Sequence, residues 1–308
     1  MRVTTFLQRV APIAVSIAVL AWIASDVDAD ALLELLTPRV GLVLVPALLA
    51  YGAATLFLEA RSLLLLVEDP PPGFDALAVA RIKCASYLLA IVHFALGTGA
   101  LVLLMSRQTR LSVAEATGRV LFVTVTDLLV IFVVVTLSGS LIAQLTPPLR
   151  ALLLVAAVGG VGGLLLLRAP FSLGPLEFAR DLPVVRELRI LPTPRLLRLI
   201  VLRIFFVACF VCVCWSSFIA FQVDAPFALI VVGMLVVGFI AGLPIAVGGL
   251  GTTQLAVMAI FAPYATPETL LAKSLALSTG MLLLRGAMGA VFARELTREA
   301  WRERAATA

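Results

Sequence analysis

A lipid-facing protein can act on polar molecules only where it holds charge, hydrogen-bonding groups or irregular backbone at hydrocarbon depth. This chain concentrates the last two in GLPIAVGGLGTTQ, residues 242–254. Pro244 removes a backbone donor, and Gly248, Gly249 and Gly251 weaken any helix they sit in. Hydrocarbon tolerates such a break only where protein covers it or where it lines a wet cavity. Thr252 and Gln254 offer uncharged hydrogen bonds at the same place, suited to a phosphate or sugar headgroup. The stretch is therefore expected to line a substrate path built from discontinuous helices. The bland alternative is a kinked helix whose glycines only let neighbours pack closely.

Charged side chains within apolar runs form the second set of candidates, because burying them is expensive and they usually face a partner or a cavity. Arg285 lies deep in its run, where snorkelling is hard, and its guanidinium can hold a lipid phosphate bidentately. Asp127 is similarly placed, as a site residue or as the structural partner of Arg285 or Lys273. Lys273 could instead pair with Glu268 one turn earlier, or snorkel. Arg203, near the start of its run, reads as an interface anchor. His93, the one histidine, stands at a second break, HFALGTG, with Gly97 and Gly99; it is either a titrating group or a satisfied structural residue.

These residues must be positioned by membrane helices. Of 308 residues 62% are hydrophobic and 13% charged, against about 25% charged in soluble domains. Several apolar runs reach the roughly 20 residues needed to cross a bilayer. The composition predicts an all-α, polytopic transmembrane bundle with about seven to eight membrane segments, and it lacks the short alternating segments of a β-barrel. The net charge of +5 requires no nucleic acid, since cytoplasmic loops collect Arg and Lys. Three of the four cysteines, Cys209, Cys212 and Cys214, share one apolar run and read as small hydrophobes. With a single histidine, neither metal nor cofactor is expected.

The first apolar run, 10–24, follows Arg2 and Arg9 and reads as a retained signal-anchor. The acidic loop 25–39 is then outside and the amino terminus cytoplasmic. A span over 40–67 returns; Glu59 and Arg61 in its second half read as snorkelling side chains. Residues 76–105 read badly as one helix: a full crossing of 85–105 would carry the basic loop 106–119 outward, and a re-entrant hairpin removes the conflict. Spans follow at 120–143 and 149–167, the latter with a close-packing run at 159–163. Loop 168–198 holds six arginines against three acids and is expected to be cytoplasmic. Spans at 199–222 and 227–243 precede the broken stretch, and 270–292 is the last.

The two breaks echo each other. Each is followed by a helix-start signal, Ser112-Val-Ala-Glu115 in the first case and Thr266-Pro-Glu268 in the second, and then by a span holding charge. This suggests a single transmembrane domain with repeat halves at 40–167 and 199–292, a transporter pattern.

Pro244-x-x-x-Gly-Gly-Leu-Gly251, an apolar helix, and then Leu284-Arg285-Gly-Ala-Met-Gly289 resemble the transmembrane (flippase-like) region of lysylphosphatidylglycerol synthases, also found in stand-alone proteins. Weaker support comes from 94–128, where Asp127 matches an acid after the first break. The resemblance implies movement of a phospholipid, glycolipid or isoprenoid-type lipid between leaflets of the cell membrane. Two departures stand out. Gln254 occupies the place of a common glutamate, and Gly99-Ala100-Leu101 lacks the family's Gly-Glu followed by Arg. These 308 residues contain no counterpart of the soluble aminoacyl-transfer domain, so aminoacyl-lipid synthesis is not expected.

Three readings remain at this level. The leading one is a lipid translocator without its own ATPase, because no Gly-x-x-x-x-Gly-Lys-Ser/Thr loop exists. The second is a non-catalytic partner of a lipid or cell-envelope biosynthesis complex, alone or as a homo-oligomer. The third, a membrane-embedded lipid enzyme, lacks any cluster of nucleophile and base.

Overall fold

The computed structural model describes residues 34–92, 94–139, 147–168, 191–242 and 251–307. Every regular element among them is helical: α1 Pro38–Leu65, α2 Ala76–Val92, α3 Phe94–Gln108, α4 Val113–Gly139, α5 Pro147–Arg168, α6 Thr193–Ala220, α7 Phe227–Gly242, α8 Thr252–Phe261 and α9 Pro267–Thr307. Among the described residues, four stretches are long and apolar enough to cross a membrane: Pro38–Leu65, Val113–Gly139, Thr193–Ala220 and Pro267–Phe292. Their outer faces are apolar. Leu42, Leu137 and Leu283 are each more than 60% exposed, which water would penalise and lipid does not.

Local chemistry explains the helix starts. Ser112 and Glu115 form a reciprocal cap on α4: the Ser112 amide donates to the Glu115 carboxylate at 2.8 Å, and the Glu115 amide donates to Ser112 Oγ at 3.2 Å. This satisfies two donors left over by helix geometry. Pro267 opens α9 with the Thr266 hydroxyl accepting from the Thr269 amide, as expected of proline in a first turn. Both predicted start signals are used.

The chain forms two compact units that interleave along the sequence. One comprises the described part of Met1–Gly52 together with Leu88–Gly97 and Phe210–Ala287; the other comprises Ala53–Tyr87, Thr98–Cys209 and Met288–Ala308.

In the first unit, glycines bring helices together. A Cβ on Gly280 would stand 2.4 Å from Leu48, and one on Gly52 would stand 2.7 Å from Leu284, so α1 and α9 meet through small residues. Gly233 of α7 receives the Phe261 ring of α8 in the same way. Gly97 of α3 lies against Ala90 of α2, where an added Cβ would meet Ala90 Cβ at 2.4 Å. Residues seven apart on one straight helix would be separated by about 10 Å along its axis. The chain therefore turns back on itself between α2 and α3.

The second unit has an apolar core around Leu63, Leu66, Ile82, Met105, Phe122 and Leu199. There α4 packs on α5, with Leu129 seated 2.8 Å from the position of a Cβ on Gly160. In the run at 159–163, nothing among the described residues lies within 4 Å of a Cβ built on Gly159, Gly162 or Gly163.

Candidate functional site

The start of α8 carries the described part of the broken stretch. Gly251 has φ of 92°, a left-handed conformation that glycine adopts at no steric cost. The Gln254 side chain reaches back to this turn: its Oε1 accepts from the Gly251 amide at 2.6 Å and from the Thr253 hydroxyl at 3.0 Å. Gln254 is fully buried, and its Nε2 has no partner among the described residues. A buried donor left unmade is costly. Thr252, half-buried, occupies the first helical position. At ten residues, α8 is about 15 Å long, half the hydrocarbon thickness. Pro244, Gly248 and Gly249 lie outside the described residues, as does His93.

At the other end of α8, Lys273 of α9 is fully buried. It neither pairs with Glu268 nor snorkels, against both sequence expectations. Its ammonium sits 3.6 Å from the centroid of Phe218 and 5.6 Å from that of Phe261. The two rings meet edge to face at 4.7 Å. Lys273 Nζ also points to Met234 Sδ at 3.6 Å. Cation–π attraction and a soft sulfur replace water here, and no carboxylate pairs with the lysine among the described residues. Sequence reading missed Phe218, Phe261 and Met234, because apolar residues on three different helices give no linear signal.

Asp127, in the other unit, has a different solution. It pairs with Arg203 of α6, and not with Arg285 or Lys273 as the sequence suggested. Arg203 Nε donates to Asp127 Oδ1 and Nη2 to Oδ2, the latter at 2.9 Å. Arg203 is no interface anchor: it is fully buried and stacks on Phe206 with its guanidinium carbon 3.9 Å from the ring centroid. The partners lie 76 residues apart, a separation that sequence spacing does not reveal.

In the same unit Glu59 pairs with Lys83 at 3.0 Å and accepts from the Tyr87 hydroxyl at 3.2 Å. It is thus engaged inside the fold where the sequence suggested snorkelling. The hydroxyls of Thr124 and Thr126 donate back to carbonyls one turn earlier in α4, which commits their protons and leaves only acceptor lone pairs. Arg285 and Gly99 are exposed, and Gly97 is buried against Ala90.

Long apolar helices, with buried basic side chains between them, define the class: a multi-pass α-helical membrane protein. The chain belongs to the family of the lysylphosphatidylglycerol synthase TM region, which it matches over residues 9–284. No curated protein and no solved structure matches it.

Proposed function

We propose that the protein translocates a phospholipid, glycolipid or isoprenoid-type lipid between the leaflets of the cell membrane, without making or breaking a bond in it. The observation that carries this reading is the start of α8. A half-helix too short to cross the membrane begins at a left-handed glycine and presents a buried Gln254 Nε2 with no partner among the described residues. A passing headgroup oxygen would satisfy that donor. Such half-helix ends commonly line transporter sites. Lys273, buried near the other end of α8 with no carboxylate partner among the described residues, adds a basic group to the same unit. In this reading the chain has seven to eight membrane segments with a cytoplasmic amino terminus, and the α2–α3 turn and the 242–254 stretch are re-entrant.

The test is lipid exchange between leaflets in vesicles carrying the purified full-length chain, with several headgroups offered. Gln254→Leu and Lys273→Met are each expected to slow exchange about tenfold, the loss of one hydrogen-bonded contact to a charged group, while the variants remain folded. Absence of exchange for every lipid, with wild-type protein folded and correctly oriented, would favour the partner reading. In that case the chain would serve a lipid or cell-envelope biosynthesis complex.

A further inference from the structure

The second unit carries an open groove between α1 and α6, of about 570 Å³, with walls that include Phe57, Leu64, Val201 and Leu202 and with Arg61 and Arg198 beside them. Arg61 precedes the end of α1 by four residues, and Arg198 follows the start of α6 by five. At 1.5 Å per residue both lie within about 8 Å of a helix end, the depth at which a membrane turns from hydrocarbon to headgroup. Both side chains are exposed.

Nearby cations already have partners. Arg195 faces Glu68 at 3.7 Å. Arg168 donates to the Leu191 carbonyl at 2.8 Å and to the Thr193 hydroxyl at 3.0 Å. Arg61 and Arg198 have no carboxylate partner among the described residues. Arg61 is instead held over the Phe57 ring at 5.4 Å, which restrains its planar fork.

From this we infer that the α1–α6 groove is a binding site for one anionic glycerophospholipid, its phosphodiester between Arg61 and Arg198 and an acyl chain along Phe57, Leu64, Val201 and Leu202. Two guanidinium forks match the non-bridging oxygens of a phosphodiester. The apolar walls match a hydrocarbon tail, which free phosphate does not have. A pocket of this volume is in the usual range for a small ligand. Scattered surface arginines attract anionic lipid without choosing a place; a groove between two of them chooses one. The site is independent of translocation, since a chain that moves no lipid would still retain this one.

Native mass spectrometry of the full chain in neutral detergent tests the inference, with phosphatidylglycerol and phosphatidylcholine titrated separately. One phosphatidylglycerol should be retained in preference to phosphatidylcholine. R61Q/R198Q should weaken that retention about tenfold, as loss of charge-assisted bonds implies. V201W, which fills the groove and keeps both arginines, should weaken it too. R107Q/R110Q, which removes the same charge elsewhere, should leave it intact. The inference is overturned if R61Q/R198Q or V201W keeps the lipid, or if R107Q/R110Q loses it equally. Should R61Q/R198Q fail to fold, R61K/R198K serves in its place; it keeps the charge but loses the forks, so undiminished retention would also overturn the site.

Discussion

Arg203 and Lys273 are both fully buried cations on membrane-grade helices, yet the two units of the molecule accommodate them in opposite ways. Arg203 is neutralised by Asp127 through a two-pronged contact. Lys273 has two aromatic faces and a sulfur and, among the described residues, no carboxylate. The ion pair cancels its own net charge, although Arg203 Nη1 stays buried without a partner among the described residues. Lys273 has no counter-charge beside it among the described residues, and an ionisable group in apolar surroundings usually faces a partner or a path. The comparison reverses the weight that the linear sequence gives these residues. Asp127 has the structural partner that the sequence left open, in Arg203, and Lys273 is the residue we propose for contact with a moving headgroup.

The largest effect that can break the comparison is expected at the pair. Arg203→Met leaves the half-buried Asp127 carboxylate unpaired and should cost about 3 kcal/mol, the low end for a broken buried pair, read by thermal unfolding in detergent. The double variant Asp127→Leu with Arg203→Met should recover most of that loss, because an apolar replacement of a buried pair is often neutral. If stability returns and lipid exchange does not, the pair belongs to the path after all.

A smaller effect sharpens the other side. Gly233→Leu would drive a side chain into Phe261, whose Cζ stands 2.7 Å from where a Cβ would be. Overpacking of this kind should cost about 1–3 kcal/mol, and it should slow exchange if the ring positions Lys273. The smallest effect on stability is expected for Lys273→Met itself. Removing a buried, unpaired charge should change stability by under about 1 kcal/mol, in either direction, since lost cation–π contact and relieved desolvation oppose each other. A large destabilisation with unchanged exchange would make the lysine structural and erase the distinction.

Gln254 bears on the family resemblance as well. The resemblance implied a glutamate at this place, so that the amide looked like a departure in the sequence. In the fold its Oε1 accepts from the Gly251 amide three residues earlier, a capping contact that glutamine and glutamate both make. The cap therefore survives the substitution, and the change lies in Nε2, which adds a donor where the acid would add negative charge. Reading 254 as a simple loss would have missed what was kept.

Much of the helical framework was legible because it depends on local chemistry. Apolar run length, the cap Ser112-Val-Ala-Glu115, and proline after Thr266 mark helices with no knowledge of their neighbours. Residues 76–105 read badly as one helix in the sequence, and the close approach of Gly97 to Ala90 rules out one straight helix there. The family was legible too, from the glycine-rich element and the charged span after it.

Pairing was decided by the tertiary structure alone. Asp127 could meet any of several cations, and only the packing of α4 beside α6 selects Arg203 from 76 residues away. Lys273 sits in a nest drawn from α6, α7 and α8, whose Phe and Met residues carry no mark distinguishing them from ordinary apolar filler. Hydrophobic patterning reports which segments leave water. It does not report which faces meet, because in hydrocarbon that choice rests on close packing and on the few polar contacts that packing brings together.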